Sequence, residues 1–144
     1  MTDRTSPTAH TKHGDLTLDE IAEMQPGMAR LMLEVSERFW ILYFAAKGGN
    51  WDLARHEFSE TRKTLRTAGV VRPKFTEALA AFESEQLAAL EASIKAKDWS
   101  AFDAAFRAAV DTGNEKHREL GYEYIEWQVP DSPPPYLRVT SVNG

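Results

Sequence analysis

The residues best suited to chemistry lie late in the chain, in Thr112-Gly113-Asn114-Glu115-Lys116-His117-Arg118-Glu119-Leu120. Counting from Phe102, positions 106, 109, 113, 117, 120 and 124 follow in steps of three and four, which places all of them on one helical face. Among these residues His117 is the exception: its side chain titrates, can bind a ligand or move a proton, and is expected to point inward. Gly113 stands one turn earlier and removes a side chain from the same face, at a cost of about 1 kcal/mol relative to Ala in a helix interior. A gap beside an inward imidazole is what a binding pocket needs. The plainer alternative is a core His satisfied by a carbonyl or carboxylate, with Gly113 as a close-packing contact.

Other patterns carry less. His56 and Glu60 have the i, i+4 spacing of metal ligands, but two ligands alone are read as a solvated pair. Met28 and Met32 share that spacing and are read as core fillers before iron ligands. Neither Glu-x-x-His pair of a dinuclear metal bundle occurs, since Leu53 and Asn114 stand three residues before His56 and His117. The chain has no cysteine, which excludes disulfides, thiolate metal sites and thiol nucleophiles. Its net charge is −5 with Lys and Arg scattered, so nucleic acid is not an expected partner. No glycine-rich phosphate loop or G-x-S-x-G elbow is present. The longest apolar run, Phe39 to Ala46, is too short for a membrane span. No secretory signal is visible, so a cytoplasmic location is expected.

The elements that must position His117 are helical. Residues 1–16 lack pattern and are expected to form a disordered or loosely docked arm, and strand signals are negligible. Thr17-Leu18-Asp19-Glu20 reads as a capping box opening a short helix to about Met24. A long helix is expected over 27–47, ending at Gly48-Gly49, with Phe39, Trp40, Tyr43 and Phe44 almost encircling its last turns. Asn50 caps a second helix to about Ala68, with Glu57 and Glu60 flanking its apolar stripe. A turn over 69–73 precedes a third helix to about Ala96, whose stripe of Phe75, Leu79, Phe82, Leu90 and Ile94 is interrupted by Gln86. Asp98 caps the fourth helix, expected to end between Tyr124 and Trp127. Trp51, Trp99 and Trp127 are expected to close the ends of the core. Pro130, Pro133, Pro134 and Pro135 then impose an extended tail over 128–144, which Tyr136 and Leu137 are expected to anchor. The expected fold is all-α: an antiparallel up-down-up-down four-helix bundle over 17–127 with a short N-terminal helix and a Pro-rich C-terminal tail.

Gly49-Asn50-Trp51-Asp52-Leu53-Ala54, Glu57, Glu60, Lys97-Asp98, Phe102, Asn114 and His117 together resemble small bacterial cytochrome c-prime-like four-helix domains, over roughly residues 28–137. In those relatives the fourth helix carries Cys-x-x-Cys-His, and the two thiols attach haem. Here the aligned residues are Gly113-Asn114-Glu115-Lys116-His117, with both thiols gone and the iron-ligand His kept. The resemblance therefore implies a haem slot without covalent haem.

Three readings follow from it. In the first expectation the slot is reused, without a cofactor, for a small aromatic molecule walled by Met28, Met32, Phe39, Phe82, Gln86, Phe106, Gly113 and Tyr124. As a cofactor-independent hydrolase of an activated aromatic ether or ester, His117 would be general base. Lys116 would stabilise developing charge, and Glu57 or Glu60 would orient the imidazole. The second keeps haem without a covalent link, His117 supplying an axial ligand and Met28 or Met32 a second. The third is a structural or interaction subunit. A homo- or hetero-oligomer suits all three.

Overall fold

The computed structural model describes residues 7–141. The molecule is mostly helical, with one small antiparallel sheet. Strands β1 (Thr8–Thr11) and β2 (Gly14–Thr17) pair with Thr8 opposite Thr17 and Thr11 opposite Gly14. This corrects the expectation of a patternless arm for the described part of 1–16; residues 1–6 lie outside the described residues. The hairpin is largely exposed, with only Leu16 and Thr17 half-buried. Thr8, Thr11 and Thr17 favour strand, and Gly14 takes a left-handed φ of 136° that closes the turn. His10 Nδ1 lies 2.8 Å from Asp15 Oδ1 across the strands. Helix α1 (Leu18–Glu23) starts with both bonds of the capping box: Glu20 N–H donates to Thr17 Oγ1, and Thr17 N–H donates to the Glu20 carboxylate.

Helices α2 (Met28–Lys47) and α3 (Trp51–Val71) form a tightly packed hairpin. The connection is built by Gly49, at φ 74°. Its N–H donates to the Ala46 carbonyl while Asn50 N–H donates to that of Ala45. Asn50 Oδ1 then accepts from Leu53 N–H and caps α3. Helix α3 runs three residues past its expected end, through Gly69, because Thr76 Oγ1 donates to the Gly69 carbonyl and closes the last turn.

The third predicted helix is broken into pieces. A single 3₁₀ turn (Pro73–Phe75) leads into α4 (Thr76–Phe82), a π turn (Glu83–Leu87) and α5 (Ala88–Ala96). The π turn explains the interruption at Gln86. The apolar residues step Phe82 to Leu87, then Leu90 and Ile94; a step of five needs one extra residue in the turn. Leu87, 1% exposed, takes the core place that α-helical spacing would have given Gln86.

Helix α6 (Trp99–Glu119) is capped by Asp98, whose carboxylate accepts from Ala101 N–H. It packs on α5, the π turn, α4 and α2. It ends earlier than expected, before Tyr124. Gly121 takes φ 84°, its N–H donates to the Arg118 carbonyl, and Tyr122 N–H donates to that of His117 at 2.7 Å. That is a glycine-closed C-terminus following a basic last turn.

The core is an aromatic ladder. Trp99, Phe102 and Phe106 follow one another along α6 at 6.0 and 5.8 Å, and Phe106 meets Phe39 and Tyr43 of α2 at 5.1 and 4.9 Å. Trp51 also meets Phe102, so Trp51 and Trp99 close the same end of the core. The encircling apolar arc of α2 is explained by the chain after α6, which returns across it. Trp40 Nε1–H donates to the Ser132 carbonyl at 2.6 Å, Asn50 Nδ2–H donates to that of Thr140, and Pro134 and Val139 are buried. The expected anchors do not serve: Tyr136 is 63% exposed and Leu137 is 37% exposed, and Pro134 and Val139 are buried in their place. No helix among the described residues is long and apolar enough to cross a membrane.

Candidate functional site

His117 lies in the last turn of α6, half-buried. Its Nδ1 is buried and has no hydrogen-bond partner among the described residues. Burial holds its pKa below the ordinary histidine value, so the ring is neutral at pH 7. A Cβ added at Gly113 would meet nothing within 4 Å, so Gly113 leaves open space and is not a close-packing contact.

The groups expected to serve His117 are engaged elsewhere. Glu57 is buried and accepts from Arg38 Nη1 at 3.0 Å, an ion pair joining α3 to α2. Glu60 accepts from Lys63 at 2.7 Å, which holds its carboxyl below the usual range. Lys116 donates to Glu119 at 3.1 Å, which raises its pKa and keeps it cationic. The expectation that Glu57 or Glu60 orients the imidazole is therefore corrected: both carboxylates have closer cations, and neither reaches His117.

The expected aromatic walls divide in the same way. Phe39, Phe106 and Tyr124 do come together, but in an open cleft of about 530 Å³ whose lining does not include His117. Tyr124 is 78% exposed and enters from the segment after α6, not from the helical face on which its spacing placed it. Met28 and Met32 lie half-buried near the start of α2, and Phe82 packs partly buried against the core. Gln86 is half-buried in the π turn. None of these four lines the cleft.

The cleft is built by α2 (Ser36, Phe39, Trp40), α6 (Phe106, Val110) and residues 124–130. Its far wall depends on Asn114. This residue is 8% exposed; its Nδ2–H donates to the Trp127 carbonyl at 2.9 Å and its Oδ1 accepts from Trp127 N–H at 2.7 Å. One side chain thus does for Trp127 what a neighbouring strand would do, satisfying both backbone groups. The Trp127 ring then stands edge-on to Phe39 at 6.0 Å and 85°, while Phe39 is tilted 36° from Phe106 at 5.1 Å. Phe39 and Phe106 lie buried under the cleft, and Trp40, Trp127 and Tyr124 carry its accessible ring surface.

Asn114, Trp127 and the cleft role of Trp40 were not visible in local periodicity, because the contacts that create them span 13 and 92 residues. One signal was present: Lys116, His117 and Arg118 followed by Gly121 is a helix-ending pattern, and it would have put Tyr124 outside α6.

A second recess of about 340 Å³ lies at the π turn, lined by Arg62, Ala80, Glu83, Ser84, Leu87, Ala88 and Glu91. Arg62 Nη1 donates to Glu91 at 3.2 Å, and Glu83 is held by Arg66.

Comparison of the chain with protein-family models, curated proteins and solved structures returned no match.

Proposed function

We propose that this chain is an up-down-up-down four-helix bundle, similar to cytochrome c-prime, that has lost covalent haem and binds a small planar aromatic molecule. Short connections between α2 and α3 and between α5 and α6 support the bundle reading. One observation carries the ligand reading. Phe39, Phe106 and Tyr124 converge from two helices and the following strap, joined by Trp40 and Trp127, in a cleft of drug-pocket size. Hydrolysis asks for the reactive bond to lie at His117, outside that lining, so the geometry favours binding ahead of turnover. The test is tryptophan fluorescence titrated with a panel of phenols and indoles. Saturable quenching lost in Val110→Trp, which fills the cleft, is the expected result. Quenching that is the same in both proteins overturns the reading.

His117 favours a second reading, non-covalent haem. A neutral imidazole with an unpartnered Nδ1, beside the open space at Gly113, fits an axial ligand. The covalent form does not fit, since the chain lacks cysteine and Lys116 occupies a thiol position in an ion pair with Glu119. Met28 or Met32 would supply a second ligand, and bound haem would contribute redox chemistry at iron. A stoichiometric Soret band that weakens in His117→Ala is the expected signature. A band unchanged in that variant removes this reading.

A further inference from the structure

We propose that the molecule taken by the aromatic cleft carries a positive charge, as a substituted ammonium joined to its ring. This deepens the aromatic-binding reading and rests on it. Five rings line the cleft, from Phe39, Trp40, Phe106, Tyr124 and Trp127, and no Lys or Arg is among the lining residues. The electron-rich faces of such rings attract a cation within about 6 Å, Trp most strongly.

Elsewhere in the molecule this attraction is already used. Lys47 lies 5.7 Å from the centre of Phe44, Arg62 lies 5.2 Å from Phe58, and Lys74 lies 4.9 Å from Phe75. Among the described residues no such cation covers a ring of the cleft. The one charged lining residue is Glu126, exposed at the rim, and its carboxylate takes part in no ion pair found among the described residues. Glu119 pairs with Lys116 and Asp103 with Arg107, while Glu123 and Asp131, like Glu126, take part in no ion pair found among the described residues. The net charge of −5 adds a weak long-range attraction of the same sign. Phe39 and Phe106 are buried beneath the cleft, so the ring surface open to an ammonium is that of half-buried Trp40 and Trp127 and exposed Tyr124. An anionic aromatic would meet Glu126 with nothing to offset it.

Two probes of matched shape test this: meta-hydroxyphenyl-trimethylammonium and meta-tert-butylphenol, which differ in the charge at one central atom. Calorimetric titration of the full chain is expected to show the cation binding at least about tenfold tighter. Tyr124→Leu keeps apolar bulk at an exposed position. It is expected to weaken the cation several-fold while leaving the phenol within about twofold. Glu126→Gln is expected to narrow the ratio of the two affinities by about two- to fivefold. Equal binding of both probes overturns the charge inference and leaves aromatic binding standing. Binding of neither overturns the aromatic reading itself, and the charge inference with it.

Discussion

Two recesses of this molecule are opposites in how they treat their own polar groups. At the π turn, Arg62, Glu83 and Glu91 all find partners within the chain, so the recess is chemically complete. In the aromatic cleft the rings have no cation and Glu126 has no counterion among the described residues. A site whose charges are already paired gains little from a charged ligand, whereas one with exposed rings and an unpaired carboxylate gains more. Concavity alone therefore does not distinguish them; the occupancy of their interactions does.

The comparison breaks most severely at Phe106. It is 1% exposed and is shared by the aromatic core and the cleft floor. Phe106→Ala is expected to cost about 3–5 kcal/mol in urea unfolding and to abolish ligand quenching. Next is Asn114→Ala, which leaves both Trp127 backbone groups without their partner. A loss of about 2–3 kcal/mol is expected. The cleft should lose its wall while far-ultraviolet circular dichroism shows the helices retained.

The effect at His117 has the opposite sign. Its buried Nδ1 lacks a partner, and His117→Leu is expected to raise stability by about 1 kcal/mol. The sign with pH follows from burial. The folded pKa is lowered, so the unfolded chain takes up the proton first. Stability is complete above the unfolded value near 6.5 and is lost as pH falls from there through the folded value. The wild type should therefore lose stability on acidification in excess of His117→Leu, measured as the change in urea midpoint. The smallest effect belongs to the self-satisfied recess. Glu91→Gln removes the partly exposed ion pairs with Arg62 and Lys95 and should change stability by about 1 kcal/mol at most, decreasingly with salt, with no change in ligand quenching.

Much of the fold was legible because it is set locally. The Thr17–Glu20 capping box, Asn50 and Asp98 caps and the Gly48-Gly49 stop all act within five residues of themselves. What local pattern missed was set at a distance or by a changed period. The five-residue step at Phe82–Leu87 hid a π turn behind Gln86. Glu57 was expected only to flank the apolar stripe of its helix, but it is buried and paired with Arg38 of another helix. The site divided for the same reason: spacing carried Tyr124 along a helix that Gly121 had already ended. Of the residues expected on one face of the last helix, Phe106, Gly113 and His117 lie on α6, whereas Tyr124 lies beyond its end.

The strap that carries Trp127 and Ser132 also has a kinetic meaning. Trp40 and Ser132 are joined across 92 positions, while the α2–α3 hairpin needs only a three-residue connection. Closing the long loop costs more chain entropy than closing the short one, and the reward comes only when α2 already exists to receive it. Helix pairing is therefore expected to precede strap docking. During refolding the helical signal should recover first and the tryptophan environment of the cleft second, so that the molecule acquires its secondary structure before it acquires its binding site.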